Sequence, residues 1–172
     1  MYYKYELHSL PREGADPVFD YKLRWITRDI AVGAAPSSKA ALNTIKQAGV
    51  EVILNLCTEC GNLHEEERAA GFIVYWLPIS DAYSPELDEL DDALEWLNGQ
   101  IESGKKVLVH CRFGVGRSGT VIAAYLLKKG LGLKQVLDIM KQTPATPTSR
   151  DQRKLIFEYA KKLGRDAMDS KR

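Results

Sequence analysis

The chain has 172 residues, 45% of them hydrophobic, enough to bury one well-packed core and short for two. Its formal net charge is +1, with both signs mixed along the chain, so neither nucleic acid nor a bulk membrane surface is an expected partner. The N-terminus lacks an apolar signal core and no later apolar run is long enough to span a bilayer, so a cytoplasmic protein is expected.

Taken in chain order, residues 1–22 are polar and aperiodic and read as an extended N-terminal segment, with one globular domain over 23–164. Ser37 begins a helix to about residue 48, and Gly49 follows as its stop. Residues 50–56, Val-Glu-Val-Ile-Leu-Asn-Leu, favour a strand, and 62–70 a helix. A second apolar strand over 72–77 ends at Pro78, and Ile79-Ser80-Asp81-Ala82-Tyr83 forms the loop after it. The helix over 86–102 carries Leu87, Leu90, Leu94, Leu97 and Ile101 on one face; Ser84 suits its cap and Pro85 its first position. A third strand over 106–110 follows, then three helices over 118–129, 133–142 and 150–163, with Pro144 and Pro147 between the last two. Residues 165–172 form a polar tail. Strands alternating with helices in the first two-thirds argue for an α/β domain with parallel pairing.

The three cysteines suit a reducing compartment rather than a disulfide framework. Cys57 and Cys60 have redox spacing, and His64 stands four residues on as a possible third metal ligand. A structural role is the default for the pair; a redox-sensitive pair and a metal site stay open, although a closed zinc site needs four ligands.

The densest chemistry lies in His110-Cys111-Arg112-Phe113-Gly114-Val115-Gly116-Arg117-Ser118-Gly119-Thr120, between the strand Val107-Leu108-Val109 and a helix. A strand-to-helix turn points successive N–H groups inward, and the helix start adds a partial positive charge, which makes an anion site. Gly114, Gly116 and Gly119 let the chain approach a ligand closely. Arg117 offers a planar fork for two phosphate oxygens. Cys111 stands at the mouth of this field, where a thiol ordinarily near 8.5 can fall to roughly 3.5–7.5.

Gly114-x-Gly116-x-x-Gly119 also spells a dinucleotide fingerprint, but the helix after it leads through Gly130-Leu131-Gly132 into another helix, so the next strand and its acidic ribose ligand are missing. A nucleotide phosphate loop needs Lys before Ser, and here that position is Arg117. A Cys followed six positions later by Arg and then Ser is chemically complete for phosphoryl transfer through a cysteinyl-phosphate.

His110-Cys111-x5-Arg117-Ser118 resembles the active-site loop of the protein tyrosine phosphatase superfamily, and Gly-x-Gly-Arg-Ser-Gly-Thr is most similar to its dual-specificity branch, a likeness extending over about residues 25–163. The resemblance implies a single phosphatase catalytic domain over 23–164, with a central, mostly parallel sheet of four to five strands flanked by helices. It implies Cys111 as nucleophile, Arg117 holding the phosphate, Ser118 donating to the leaving thiolate, and His110 ordering the loop through hydrogen bonds. The general acid of such enzymes lies on a loop about thirty residues before the nucleophile. Asp81 meets that spacing, a turn-forming role being its alternative, while Glu86 and Asp88 fall in the next helix's first turn as dipole complements. Gln152 resembles a water-orienting glutamine, with a surface position as the alternative; Arg150 suits either a second phosphate or solvent. Arg112, Phe113, Gly114, Val115 and Gly116 are the expected substrate-binding residues. One cation and two apolar side chains in the loop favour phosphotyrosine on a phosphorylated protein over a polyphosphorylated sugar, with phosphoserine and phosphothreonine next; a phosphoinositide or other non-protein phosphomonoester, or a binding module without catalysis, are the alternatives. No cofactor or metal is required, and a monomer is expected.

Overall fold

The computed structural model describes residues 21–166, so most of the N-terminal segment expected over 1–22 and of the tail expected over 165–172 lies outside the described residues. The elements run β1 (Arg24–Trp25), β2 (Ile30–Ala34), α1 (Lys39–Gln47), β3 (Val50–Cys57), α2 (Leu63–Ala69), β4 (Ile73–Ile79), α3 (Leu87–Glu102), β5 (Lys106–Cys111), α4 (Gly116–Lys128), α5 (Leu133–Lys141) and α6 (Arg150–Lys162). They build one α/β domain around a five-stranded sheet of order β1-β2-β5-β3-β4, parallel except where β1 pairs antiparallel with β2. Among the described residues no helix is long and apolar enough to cross a membrane.

The period of two along β5 explains the layering. Val107 and Val109 face the large core formed with α3 to α6, whereas Leu108 faces a smaller one with Leu42 and Ile45 of α1. A central strand covered on both faces needs an unbroken apolar run, and Val107-Leu108-Val109 supplies it. Because β2, β5, β3 and β4 are parallel, Ala34, Cys111, Cys57 and Ile79 all end at one rim of the sheet, in register as Ala34↔Cys111 and Cys57↔Ile79. The loops that follow these strands share one crevice.

Several boundaries differ from those expected. β1 and β2 have no counterpart among the sequence-read strands; they are two and five residues long, and the turn between them is stapled by Thr27 Oγ1, which accepts from the N–H groups of Asp29 and Ile30 at 3.2 and 3.0 Å. β4 runs through Pro78 to Ile79 because it is an edge strand and its register slips opposite Asn55 and Cys57, so the missing N–H breaks no ladder. Ser38, not Ser37, caps α1 by accepting from Ala41 N at 3.1 Å. α3 begins at Leu87 with Glu86 in the cap position, and Ser84 is drawn away to α6. α4 begins at Gly116, two residues before the expected start, so Arg117 and Ser118 belong to its first turn. Its residues 117–127 are all buried, as befits a helix at the centre of the fold. A Cβ on Gly119 would stand 2.4 Å from Thr146 N, so this glycine lets α4 lie against the 145–146 backbone.

A buried polar chain ties the rim together. His110 Nε2 lies 2.7 Å from Glu67 Oε1, Asn55 Nδ2 donates to Glu67 Oε2 at 3.0 Å, and Asn55 Oδ1 accepts from Cys57 N at 2.9 Å. The three side chains are at most 1% exposed, so each depends on the others in place of water. Glu67→Ala should therefore cost about 3–5 kcal/mol in urea unfolding, because it strands the His110 and Asn55 donors. Glu67→Gln, which keeps the shape and one acceptor, should cost clearly less; equal losses would mean that side-chain volume and not the hydrogen bonds matters.

Candidate active site

The loop leaving β5 at Cys111 is held from below and beside. Ala35 N donates to Arg112 O at 3.2 Å and Arg24 Nη2 to Gly114 O at 3.4 Å, which pins the loop to the β2 side. Gly114 has φ +68, and a Cβ there would fall 2.3 Å from Gly33 O; one on Gly116 would fall 2.5 Å from Thr148 Oγ1 and 2.9 Å from Gln152 Oε1. The expectation that these glycines make room for a ligand is thus revised: protein atoms are what their missing side chains would strike. Arg112 and Phe113 are exposed at the lip, with the Arg112 guanidinium 5.7 Å from the Phe113 ring centre.

Cys111 is 3% exposed. Burial pushes its thiol pKa up, but the Ser118 hydroxyl, the N–H groups of Ser118 and Val115, and the Arg117 charge more than offset that, and the net shift is downward. The buried Ser118 hydroxyl has no conventional hydrogen-bond partner, and its influence falls on this sulfur.

Arg117 is itself 1% exposed. Its Nη1 and Nη2 donate to Glu59 Oε2 and Oε1 at 2.8 and 2.6 Å, and Nη1 also donates to Ile79 O at 2.8 Å. The bidentate pairing with Arg117 holds the Glu59 carboxyl down to about 2, far below its usual range. With the end of the fork on Glu59, Nε is left buried without an acceptor among the described residues. Asp81 Oδ1 lies 3.3 Å from Nη2, and the Asp81 side chain is 72% exposed. Sequence reasoning missed Glu59: the Thr58-Glu59-Cys60 turn drew notice only for its cysteines.

The Asp81 loop is strained and fastened. Ala82 has φ 66, uncommon for a residue with a Cβ. Asp151 accepts from both the N–H and the hydroxyl of Ser84 at 2.7 Å, and Gln152 Nε2 donates to Tyr83 O at 3.3 Å. Gln152 is 1% exposed, so it is no surface residue: it accepts from Thr148 N at 2.9 Å and shares a reciprocal cap with Ser149. Arg150 is exposed at the start of α6. Glu86 and Asp88 stand at the head of α3, as expected of dipole complements.

Cys57, Glu59 and Cys60 bring their ligand atoms within 4.8 Å of one another, whereas His64 stacks on Trp76 at 4.0 Å between ring centres and is not among them. Glu59 is already committed to Arg117, and burial followed by the Cys60 thiol pushes the Cys57 thiol pKa up. All three cysteines are free.

The family described as a polymorphic toxin system DSP-PTPase phosphatase matches residues 31–131. Human dual specificity protein phosphatase 9 is 34% identical over 119 residues, 68% of this chain and 30% of that one. A putative tyrosine phosphatase, 123R, of invertebrate iridescent virus 6 is 34% identical over 83 residues, 47% of this chain and 58% of that one. The matched stretch spans less than a third of the length of human dual specificity protein phosphatases 9, 5 and 6. Among solved structures, the active form of Tk-PTP superposes with a TM-score of 0.75 at 27% identity, covering 81% of this chain and 96% of that one. The matched span contains the whole Cys111-to-Ser118 loop, Glu59 and Asp81, and on these grounds the chain belongs to the dual-specificity phosphatase branch of the protein tyrosine phosphatase superfamily.

Proposed function

We propose that residues 23–164 form a cysteine-dependent phosphatase that hydrolyses phosphotyrosine, and with it phosphoserine and phosphothreonine, on phosphorylated proteins. The observation that carries this reading is geometric: Cys111 ends β5, and the buried Arg117 and Ser118 lie in the first turn of α4 that follows the loop, an arrangement that favours the Cys111 thiolate where burial alone would disfavour it. In the first step the thiolate attacks phosphorus, an S–P bond forms as the ester P–O bond breaks, and Asp81 gives its proton to the departing oxygen. Water then attacks the cysteinyl-phosphate, Asp81 takes the proton back, and the S–P bond breaks to release inorganic phosphate and the thiolate, which the Ser118 hydroxyl stabilises. Arg117 and the loop N–H groups hold the equatorial oxygens as charge shifts. Arg112, Phe113 and Val115 line the approach, and the exposed Phe113 ring suits a phenyl phosphate. The enzyme works without metal or cofactor, as a monomer, in the cytoplasm, where its free thiols stay reduced.

In a chelator-containing buffer the protein should turn over para-nitrophenyl phosphate, and Cys111→Ser should abolish this; no turnover by the unaltered protein would reject the proposal. Asp81→Asn should slow a phosphotyrosine peptide by about a hundredfold or more and para-nitrophenyl phosphate less, because the activated leaving group needs less protonation. Equal losses would exclude Asp81 as the acid. A phosphoinositide hydrolysed far faster than any phosphotyrosine peptide would overturn the substrate class.

The fastening of the Asp81 loop has its own test. Asp151→Ala removes two hydrogen bonds to Ser84. Peptide turnover should fall about three- to tenfold, the worth of one or two such bonds, with para-nitrophenyl phosphate less affected. A uniform loss on both substrates would assign Asp151 to stability alone.

A further inference from the structure

Two carbonyls of the loop after β5, those of Arg112 and Gly114, are held from the β1–β2 side. Arg112 O accepts from the backbone of Ala35 at 3.2 Å, whereas Gly114 O accepts from a side chain, Arg24 Nη2, at 3.4 Å. The second tether acts beyond the atom it touches. Gly114 O and the Val115 N–H belong to one trans peptide plane and point in opposite directions, so a donor on the carbonyl outside sets the direction of the N–H inside. That N–H is among the backbone donors that act on the Cys111 sulfur. Gly114, at φ +68, does little to fix the plane itself, because a residue without a Cβ lets the peptide that follows it turn at small cost. Turned over, the plane would take a donor away from the thiolate and set a carbonyl oxygen there in its place.

The sheet places Arg24 to prevent this. Arg24 pairs with Val32 of β2, which pairs with Val109 of β5, two residues before Cys111, so the strands that carry the nucleophile also carry this cation. Leu23 and Trp25 on either side of it pack against the smaller core, which turns Arg24 to the opposite face. Among the described residues Gly114 O is the one hydrogen-bond acceptor it has, and its Nε is buried without another. A charged donor holds a carbonyl more firmly than a neutral one.

We infer that Arg24 is a positioning residue for the reaction at Cys111: by holding the Gly114 carbonyl away from the site, it holds the Val115 N–H on the sulfur. The inference rests on the phosphatase reading above and adds to it a side chain that lies 90 residues from the carbonyl it holds and acts through the loop alone. Ser118 and Arg117 act on the same sulfur, so loss of this one N–H weakens the thiolate without abolishing it.

The test reads the thiolate without substrate, as the rate of Cys111 alkylation by iodoacetamide against pH, followed at that residue by mass spectrometry. It is run on the unaltered protein and on Arg24→Met, beside kcat/KM for para-nitrophenyl phosphate and a phosphotyrosine peptide. Arg24→Met should move the alkylation midpoint up by about one pH unit, part of the worth of one hydrogen bond to a charged group. Below that midpoint kcat/KM should fall about tenfold, and on both substrates alike, because the loop donors serve either leaving group. Arg24→Lys, which keeps a charge and a donor, should recover much of both losses. Where Arg24→Met does not fold, Arg24→Gln replaces it with the same expected shift, since its amide ends where the Arg24 Nε lies. An unchanged midpoint in the folded variant overturns the positioning role, and so does a loss of turnover that only follows the unfolded fraction in urea. A raised midpoint in Arg24→Met, with neither substrate turned over by the unaltered protein, would instead reject the phosphatase reading and leave the hold on the loop standing.

Discussion

A guanidinium buried to 1% exposure sits where three loops meet, and the site depends on how that charge is satisfied. Burying Arg117 unpaired would be prohibitively costly, so each neighbouring segment must present an acceptor: Glu59 from the turn after β3, the Ile79 carbonyl from the end of β4, and Asp81 from the loop beyond it. These segments come from separate parts of the chain, and the cation holds them at one rim. The pairing with Arg117 holds the Glu59 carboxyl down to about 2, so the pair stays charged near neutral pH. The end of the fork lies on Glu59, and the carboxylate of Asp81 stands 3.3 Å from Nη2. One buried side chain thus gathers Glu59, Ile79 and Asp81 at a single point of the rim.

Beneath Arg117, the loop rests on a second buried device. His110, Glu67 and Asn55 form a chain from the base of the loop through α2 to the backbone of β3, with no exposed member. It ties the end of β5 to the end of β3. A loop so supported can present its N–H groups to Cys111 without reorganising, which is what makes fixed dipoles worth more than water around a developing charge. The strain that remains lies in the Asp81 loop, where Ala82 takes a left-handed conformation and Ser84 and Tyr83 are fastened to α6.

What could be read from the chain and what could not divides by sequence separation. Cys111, Arg117 and Ser118 fall within eight consecutive residues, so their relation is local; Asp81 is remote but follows from its place after an apolar strand of a parallel sheet. Glu59 and Glu67 meet their partners 58 and 43 residues away, and no local pattern marks a glutamate for burial on a helix that otherwise looks solvated. The cap expected at Ser84 failed for the same reason, because a distant Asp151 outbid the nearby helix start for its hydroxyl. β1 and β2 escaped notice because two and five residues are too few to show a period, and because what makes them strands is the β5 edge they cover.

Gly114, Gly116 and Gly119 make the same point about motifs. Their spacing is that of a dinucleotide loop, in which the missing side chains admit a pyrophosphate and allow helix to pack on strand. Here each is required by a different protein neighbour: the Gly33 carbonyl, Thr148 with Gln152, and the Thr146 backbone. All three demands arise from packing the start of α4 against β2 on one side and the approach to α6 on the other. That packing is tight because α4 runs through the main core, with residues 117–127 all buried. An identical letter pattern thus answers two different physical problems. Arg117, buried between the second and third glycines, and Cys111, at the strand end before all three, distinguish this loop from the dinucleotide one.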